Sequence, residues 1–207
     1  MTGRIITVSS TKPIISARPA FGAAALVTVA LMAVAALVLS VRDARAAYLR
    51  ALGVQAAETA EALERGPVRD SMLDRAQEQL QQALEVYPRD ASLWLALART
   101  RYVQATGAEV RATSLTLLQA SIIAARRAEA LDPMSHQAPA QLAQALSAMP
   151  NPSPREAAAA LARSYLRRGL DADVGGIRIP IAAALWSELS PQARQAGARV
   201  ADPQAAL

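Results

Sequence analysis

Residues 20–41 read AFGAAALVTVALMAVAALVLSV, a run of 22 residues with no charge and no proline. At roughly 1.5 Å of rise per residue it makes a rod of about 33 Å, long enough for a hydrocarbon core of about 30 Å. A helix satisfies its own backbone there, which an open chain cannot do. Core helices of water-soluble proteins rarely stay uncharged beyond about 14 residues and keep a polar stripe. The run therefore reads as a transmembrane helix, and the remainder of the chain is expected to work beside a membrane.

A cleavable signal peptide is the rival reading. Arg4, Lys12 and Arg18 precede the run, and Ala44-Arg45-Ala46 supplies an A-x-A pattern that would put cleavage before Ala47. The run exceeds the usual apolar region of about 7 to 15 residues, and Arg42 and Arg45 crowd the cleavage site, which favours an uncleaved anchor. Orientation is less decisive, because Arg42, Arg45 and Arg50 on the far side balance the three basic residues before the run. The expected arrangement is a single pass through an inner (cytoplasmic) membrane, with residues 1–19 as a short basic tail in the cytoplasm and the C-terminal domain in the periplasm. Pro13 and Pro19 interrupt any helix in that tail, beside a brief β-like run of Ile5, Ile6 and Val8.

Residues 42–207 are enough for one domain with a real core. Alanine and leucine dominate, aromatics are 3% of the chain, and β-branched residues are sparse after Val41, so helix is expected throughout and no sheet. Lysine occurs once, against 21 arginines, a usage like that of a GC-rich bacterial genome. The net charge of +5 reduces to +2 beyond residue 41, with 19 basic and 17 acidic residues. That is too even a balance for a nucleic-acid footprint, which needs a clustered basic face. The chain has no cysteine, which removes disulfides, thiolate chemistry and a lipoprotein acylation site.

Outward from the apolar run, Leu49, Leu52, Ala56, Ala60 and Leu63 recur at spacings of three and four, predicting that helix continues from Asp43 to Arg65 until Gly66-Pro67 stops it. A new helix is expected from Asp70 or Ser71 to Val86, before Tyr87-Pro88. Then Ala76, Leu80, Ala83 and Pro88 are followed by Trp94, Leu97, Ala98 and Tyr102. This spacing resembles the tetratricopeptide repeat (TPR), a helix-turn-helix unit of about 34 residues. By that resemblance Ala76 and Ala83 are the small positions of a second helix, Leu80 the large one and Pro88 its terminator. Trp94, Leu97 and Ala98 open the next unit, with Trp94 inside the helix pair.

The phrases QQALEVYPRD and RRAEALDPMS repeat the register, since Ala128 and Pro133 are spaced as Ala83 and Pro88 are. The prolines are 45 residues apart, placing about 11 extra residues around Val103 to Thr113, in longer helices or a longer loop. A further second helix is expected at Thr113–Leu131, a short helix at Pro139–Ala148, a stiff break at 150–154 and a helix at Arg155–Leu170. The resemblance covers residues 70–148 well and reaches 170 loosely. It departs where the first helix of the first repeat should lie, because Ala60, Glu64 and Pro67 occupy its aromatic, glycine and tyrosine positions. Residues 42–170 are thus expected to form TPR-like helical repeats. Residues 171–207 are expected to form a C-terminal helical capping element: a loop at Asp171–Gly176, helix from Ala182 to Leu189 with Leu185, Trp186 and Leu189 buried, and a last helix from Pro191 to Val200 capped by Ser190. The fold expectation is all-α.

Chemistry is thin. His136 is the sole histidine and sits in a loop, so no histidine metal site or serine triad can be assembled. Gly175-Gly176 lacks the lysine and flanking strand of a phosphate loop, and Asp171 and Asp173 read as loop acids. No enzyme activity, no cofactor and no small-molecule substrate is expected. Arg163, Arg167 and Arg168 share one helix side and could grip acidic groups, although a solvated face explains them as well. The resemblance implies a concave groove lined by first helices, where Arg99, Arg101, Tyr102 and Gln104 are the polar and aromatic candidates for partner binding. The functional expectation is a membrane-anchored scaffold recruiting protein partners at the bacterial cell envelope. The alternative is an accessory subunit of an envelope enzyme machine, such as polysaccharide synthesis and export or cytochrome maturation.

Overall fold

The computed structural model describes residues 19–167 and 172–201. Among them there is no strand, and eight α-helices account for nearly every residue. They are α1 (Pro19–Ala62), α2 (Pro67–Val86), α3 (Ala91–Gly107), α4 (Arg111–Leu131), α5 (Gln137–Ser147), α6 (Pro154–Arg167), α7 (Ala172–Ala184) and α8 (Pro191–Ala201), with a 3₁₀ turn at Trp186–Glu188 between the last two. The all-α expectation holds. The tail expected at residues 1–19 lies outside the described residues up to position 18, as does Arg168.

The chain divides into two compact units, residues 1–42 and 43–207. In the first, the large apolar side chains are open: Val27, Leu31, Met32, Leu37 and Val41 are each about 60% exposed. This is one helix near the N-terminus long and apolar enough to span a membrane.

In the second unit each helix packs on its neighbour in sequence from α2 to α6, α7 lies against α5 and α8 against α6. Small side chains allow the close approach. Ala76, Ala83, Ala98, Ala124, Ala125, Ala128, Ala143, Ala157 and Ala160 are all buried, with Leu80, Leu97, Leu142 and Leu161 filling the space between them. Two buried hydroxyls are satisfied across helices: Ser121 donates to the Ala98 carbonyl at 2.7 Å and Ser164 to the His136 carbonyl at 2.6 Å.

The two proline turns repeat each other 45 residues apart. Tyr87 N–H donates to the Ala83 carbonyl and Asp132 N–H to the Ala128 carbonyl, both at 2.9 Å. Asp90 N–H then donates to the Tyr87 carbonyl and Ser135 N–H to the Asp132 carbonyl, both at 3.1 Å. The offset carries into the core, since Leu73, Ala76, Leu80, Leu97 and Ala98 are buried and so are Leu118, Ser121, Ala125, Leu142 and Ala143. The extra residues lengthen α3 and α4 on either side of a short connection, residues 108–110.

Several boundaries differ from expectation. The second helix begins at Pro67, since a proline at the first position gives up an amide that has no helical partner anyway. Residues 172–176, read as loop, open α7, so Gly175-Gly176 and Asp173 lie in helix. Trp186 is 44% exposed, whereas Leu185 and Leu189 are buried as expected. On α1 the buried stripe is Ala46, Gly53, Ala57 and Ala60. Leu49 packs against the α2–α3 core, Leu52 and Ala56 are half-buried and Leu63 is exposed.

Candidate binding groove

Residues 43–62 of α1 pack beside α2 and α3. Gly53 lets that segment approach Leu80 of α2, and Arg69 donates from Nε to the Ala60 carbonyl at 3.2 Å, which also accepts from Leu63 N–H where the helix ends. The odd-numbered helices α1, α3 and α5 then line one face together. An open cavity of about 480 Å³ runs along it, floored by Ala51 and Val54 of α1 and Leu95 and Ala96 of α3, and rimmed by Arg50, Gln55, Glu58, Ser92, Arg99 and Gln137.

The two rim arginines are held in ion pairs. Arg50 reaches Asp90 Oδ2 at 3.0 Å and Ser92 Oγ at 2.8 Å. Asp90 also caps α3, its Oδ1 accepting from Ser92 N–H at 2.9 Å and from Leu93 N–H at 3.4 Å. Burial resists ionisation of Asp90, but the Ser92 bonds and the Arg50 charge outweigh it and hold the carboxyl below its usual range. Arg99 pairs with Glu61 of α1 at 3.2 Å.

Arg99 also borders a second cavity of about 320 Å³, lined by Glu61, Arg69, Tyr102, Val103, Gln141, Gln144 and Ile177. Gln141 is 2% exposed. Tyr102 is half-buried, and desolvation pushes its hydroxyl up against an opposing hydrogen bond with Gln144.

Of the four residues singled out from sequence, two meet here. Arg99 and Tyr102 are three apart and share a helix face, while Arg101 and Gln104, also three apart, share another about 200° away. Arg101 is half-buried against α4, donating to the Ala120 carbonyl at 3.3 Å, and desolvation lowers its guanidinium pKa. Gln104 donates to Asp74 Oδ1 of α2 at 2.8 Å. Arg101 and Gln104 are therefore tied into helix contacts and do not line either cavity. Sequence reasoning missed Arg50, Glu61, Arg69, Gln141 and Gln144. A signal for the first two was present: Arg50, Val54, Glu58 and Glu61 recur at helical spacing on α1.

The basic side of α6 is neutralised within the domain. Glu129 of α4 accepts from Arg163 Nε at 2.7 Å and lies 2.8 Å from Arg167 Nη1, which leaves neither arginine as an open anion grip. His136 sits half-buried in the second proline turn. Arg178 of α7 is a side chain that no sequence pattern marks for burial, yet it is 0% exposed, with its guanidinium carbon 5.5 Å from the Tyr165 ring centre. No group of three or more metal-ligating side chains gathers among the described residues. No protein-family model matches the chain, and neither a curated protein nor a solved structure matches it.

Proposed function

We propose that this chain is a membrane-anchored, TPR-like scaffold that binds protein partners at the bacterial cell envelope, with residues 43–207 on the periplasmic side of the cytoplasmic membrane. The observation that carries the reading is the open groove along α1, α3 and α5. Its floor is small and apolar, and its rim is polar with its two arginines held in place, a combination suited to a peptide segment or a partner helix. The exposed apolar side chains of residues 27–41 support an anchor, since about 20 consecutive apolar residues suit lipid better than water. The internal repetition of the proline turns supports the repeat reading.

The test is comparative purification of the full chain in mild detergent. Ala51 is exposed in the groove floor, so Ala51→Glu blocks the groove without touching the core. Partners recovered with the wild type and lost with Ala51→Glu support the scaffold. An identical set from both proteins, or no specific partner with either, overturns it. A periplasm-active reporter fused after Leu207 is expected to be active, and activity confined to a cytoplasmic reporter reverses the orientation. A mature N-terminus at Ala47 removes the anchor.

A further inference from the structure

The smaller cavity is unbalanced in its hydrogen bonding. Gln141 Nε2 is buried on its wall and has no partner among the described residues, which leaves amide hydrogens turned away from water and unspent. Arg69 uses Nε on the Ala60 carbonyl, and both of its terminal nitrogens remain for another acceptor. Arg99 uses one terminal nitrogen on Glu61. Two guanidinium groups therefore face a single carboxylate, and that carboxylate is already held. The wall therefore carries a net positive charge and a buried amide donor without a partner among the described residues.

From this geometry we infer that the cavity between α1, α3, α5 and α7 is a binding site for a carboxylate: the Asp or Glu side chain of the partner segment lying in the adjoining groove. A carboxylate supplies acceptors only and can bridge a guanidinium and the Gln141 amide at once. Charge complementarity selects it over a neutral amide. A side chain fits better than a chain end, because it can enter from a segment that continues along the groove past Arg99, whereas a chain end has to stop there. Arg99 borders both cavities, so a segment over Ala51, Val54 and Leu95 has the carboxylate site next to its path.

This inference rests on the scaffold reading, and its test separates the two. The probe is propanoate, the minimal mimic of a Glu side chain, titrated into the full chain in detergent micelles while the Gln141 side-chain amide is followed by NMR. Propanamide, inorganic phosphate and N-acetylalanine are the comparison arms. A saturable shift of the Gln141 amide with propanoate, absent with propanamide, is expected. Loss of one charge-assisted bond should weaken binding at least about tenfold in Arg99→Gln, read on the Gln141 amide, and in Gln141→Met, read on the side-chain amide of Gln144 on the same cavity wall. Gln141→Met keeps the buried volume. Arg99→Gln removes a largely solvated pair, so one of the two stays folded whatever the other does. No saturable shift, or equal binding by the folded variants, overturns the site. Tighter binding of N-acetylalanine or phosphate overturns the side-chain carboxylate as its ligand. If propanoate binds but Gln141→Met retains every partner that Ala51→Glu loses, the scaffold stands and the partner's use of this cavity fails. If no partner is recovered with the wild type, the scaffold reading fails first.

Discussion

A Cβ built on Gly53 would stand 2.9 Å from Cγ of Leu80 and 3.3 Å from its backbone nitrogen. Leu80 is fully buried, so neither the side chain nor the helix beneath it has room to retreat. The junction of residues 43–62 with α2 depends on this absence of a side chain. Gly53→Ala should gain about 1 kcal/mol of helix propensity and lose about 1 to 3 to overpacking, for a net destabilisation near 1 kcal/mol. Gly53→Leu should cost several kcal/mol more. Gly66 is the contrast, with nothing within 4 Å of a built Cβ and φ 164°, extended backbone that any residue adopts. Gly66→Ala should stabilise by about 0.5 kcal/mol through the unfolded chain. Urea unfolding of the full chain in mild detergent, followed by circular dichroism, measures all three. A thermodynamically silent Gly53→Leu would mean that residues 43–62 do not pack on α2.

Trp94 is half-buried, touching both core clusters, and its indole N–H donates to the Pro88 carbonyl at 2.9 Å. It is a bracket across the first proline turn more than a plug inside a helix pair. Truncating a fully buried Trp costs about 3 to 5 kcal/mol, so Trp94→Ala should cost about 2. Trp94→Phe keeps most of the contact and loses the hydrogen bond, for about 1 kcal/mol. If the two variants were equal, the turn bond would account for the whole effect and the ring contacts for none.

The parts of the fold written in helical periodicity were legible. Ala83 with Pro88 and Ala128 with Pro133 marked two helix ends at equal spacing, and both turns close with the same backbone bonds. What failed was inference from residue type alone. Gly175-Gly176 suggested a loop, but both lie within α7 despite the low helix propensity of glycine. Trp186 suggested core yet is 44% exposed, and Arg178, which no sequence pattern marked, is fully buried. No rule of composition places a single side chain on a helix that packs on one face only. The groove was half legible for a geometric reason. Arg99 and Tyr102 share a face while Arg101 and Gln104 share another, a distinction available from helical spacing, whereas Gln141 and Arg69 enter only once α5 and α2 are placed.

Glu129 offers a test that varies with pH. Burial resists its ionisation, but bonds from Arg163 and Arg167 and their charges outweigh that cost and hold the folded carboxyl below its ordinary value. Its side chain is 14% exposed against 41% and 21% for the two arginines, so the interaction is only partly screened. A folded pKa below the unfolded one means the stabilisation is fully present above about pH 4.3, the ordinary glutamate value, and is lost as pH falls through the folded value. Glu129→Gln removes the charge and keeps the shape. At pH 7 it should cost about 1 to 2 kcal/mol, discounted for the solvent exposure of Arg163. The gap between wild type and variant should then close as pH is lowered below about 4, where the wild-type carboxyl is protonated and resembles the amide. Urea midpoints measured from pH 7 to pH 3 give the curve directly. A gap that stays constant across that range would show that Glu129 contributes shape and not charge. A gap that widens on acidification would contradict the direction of the shift, and with it the reading that α4 and α6 are joined through this carboxylate.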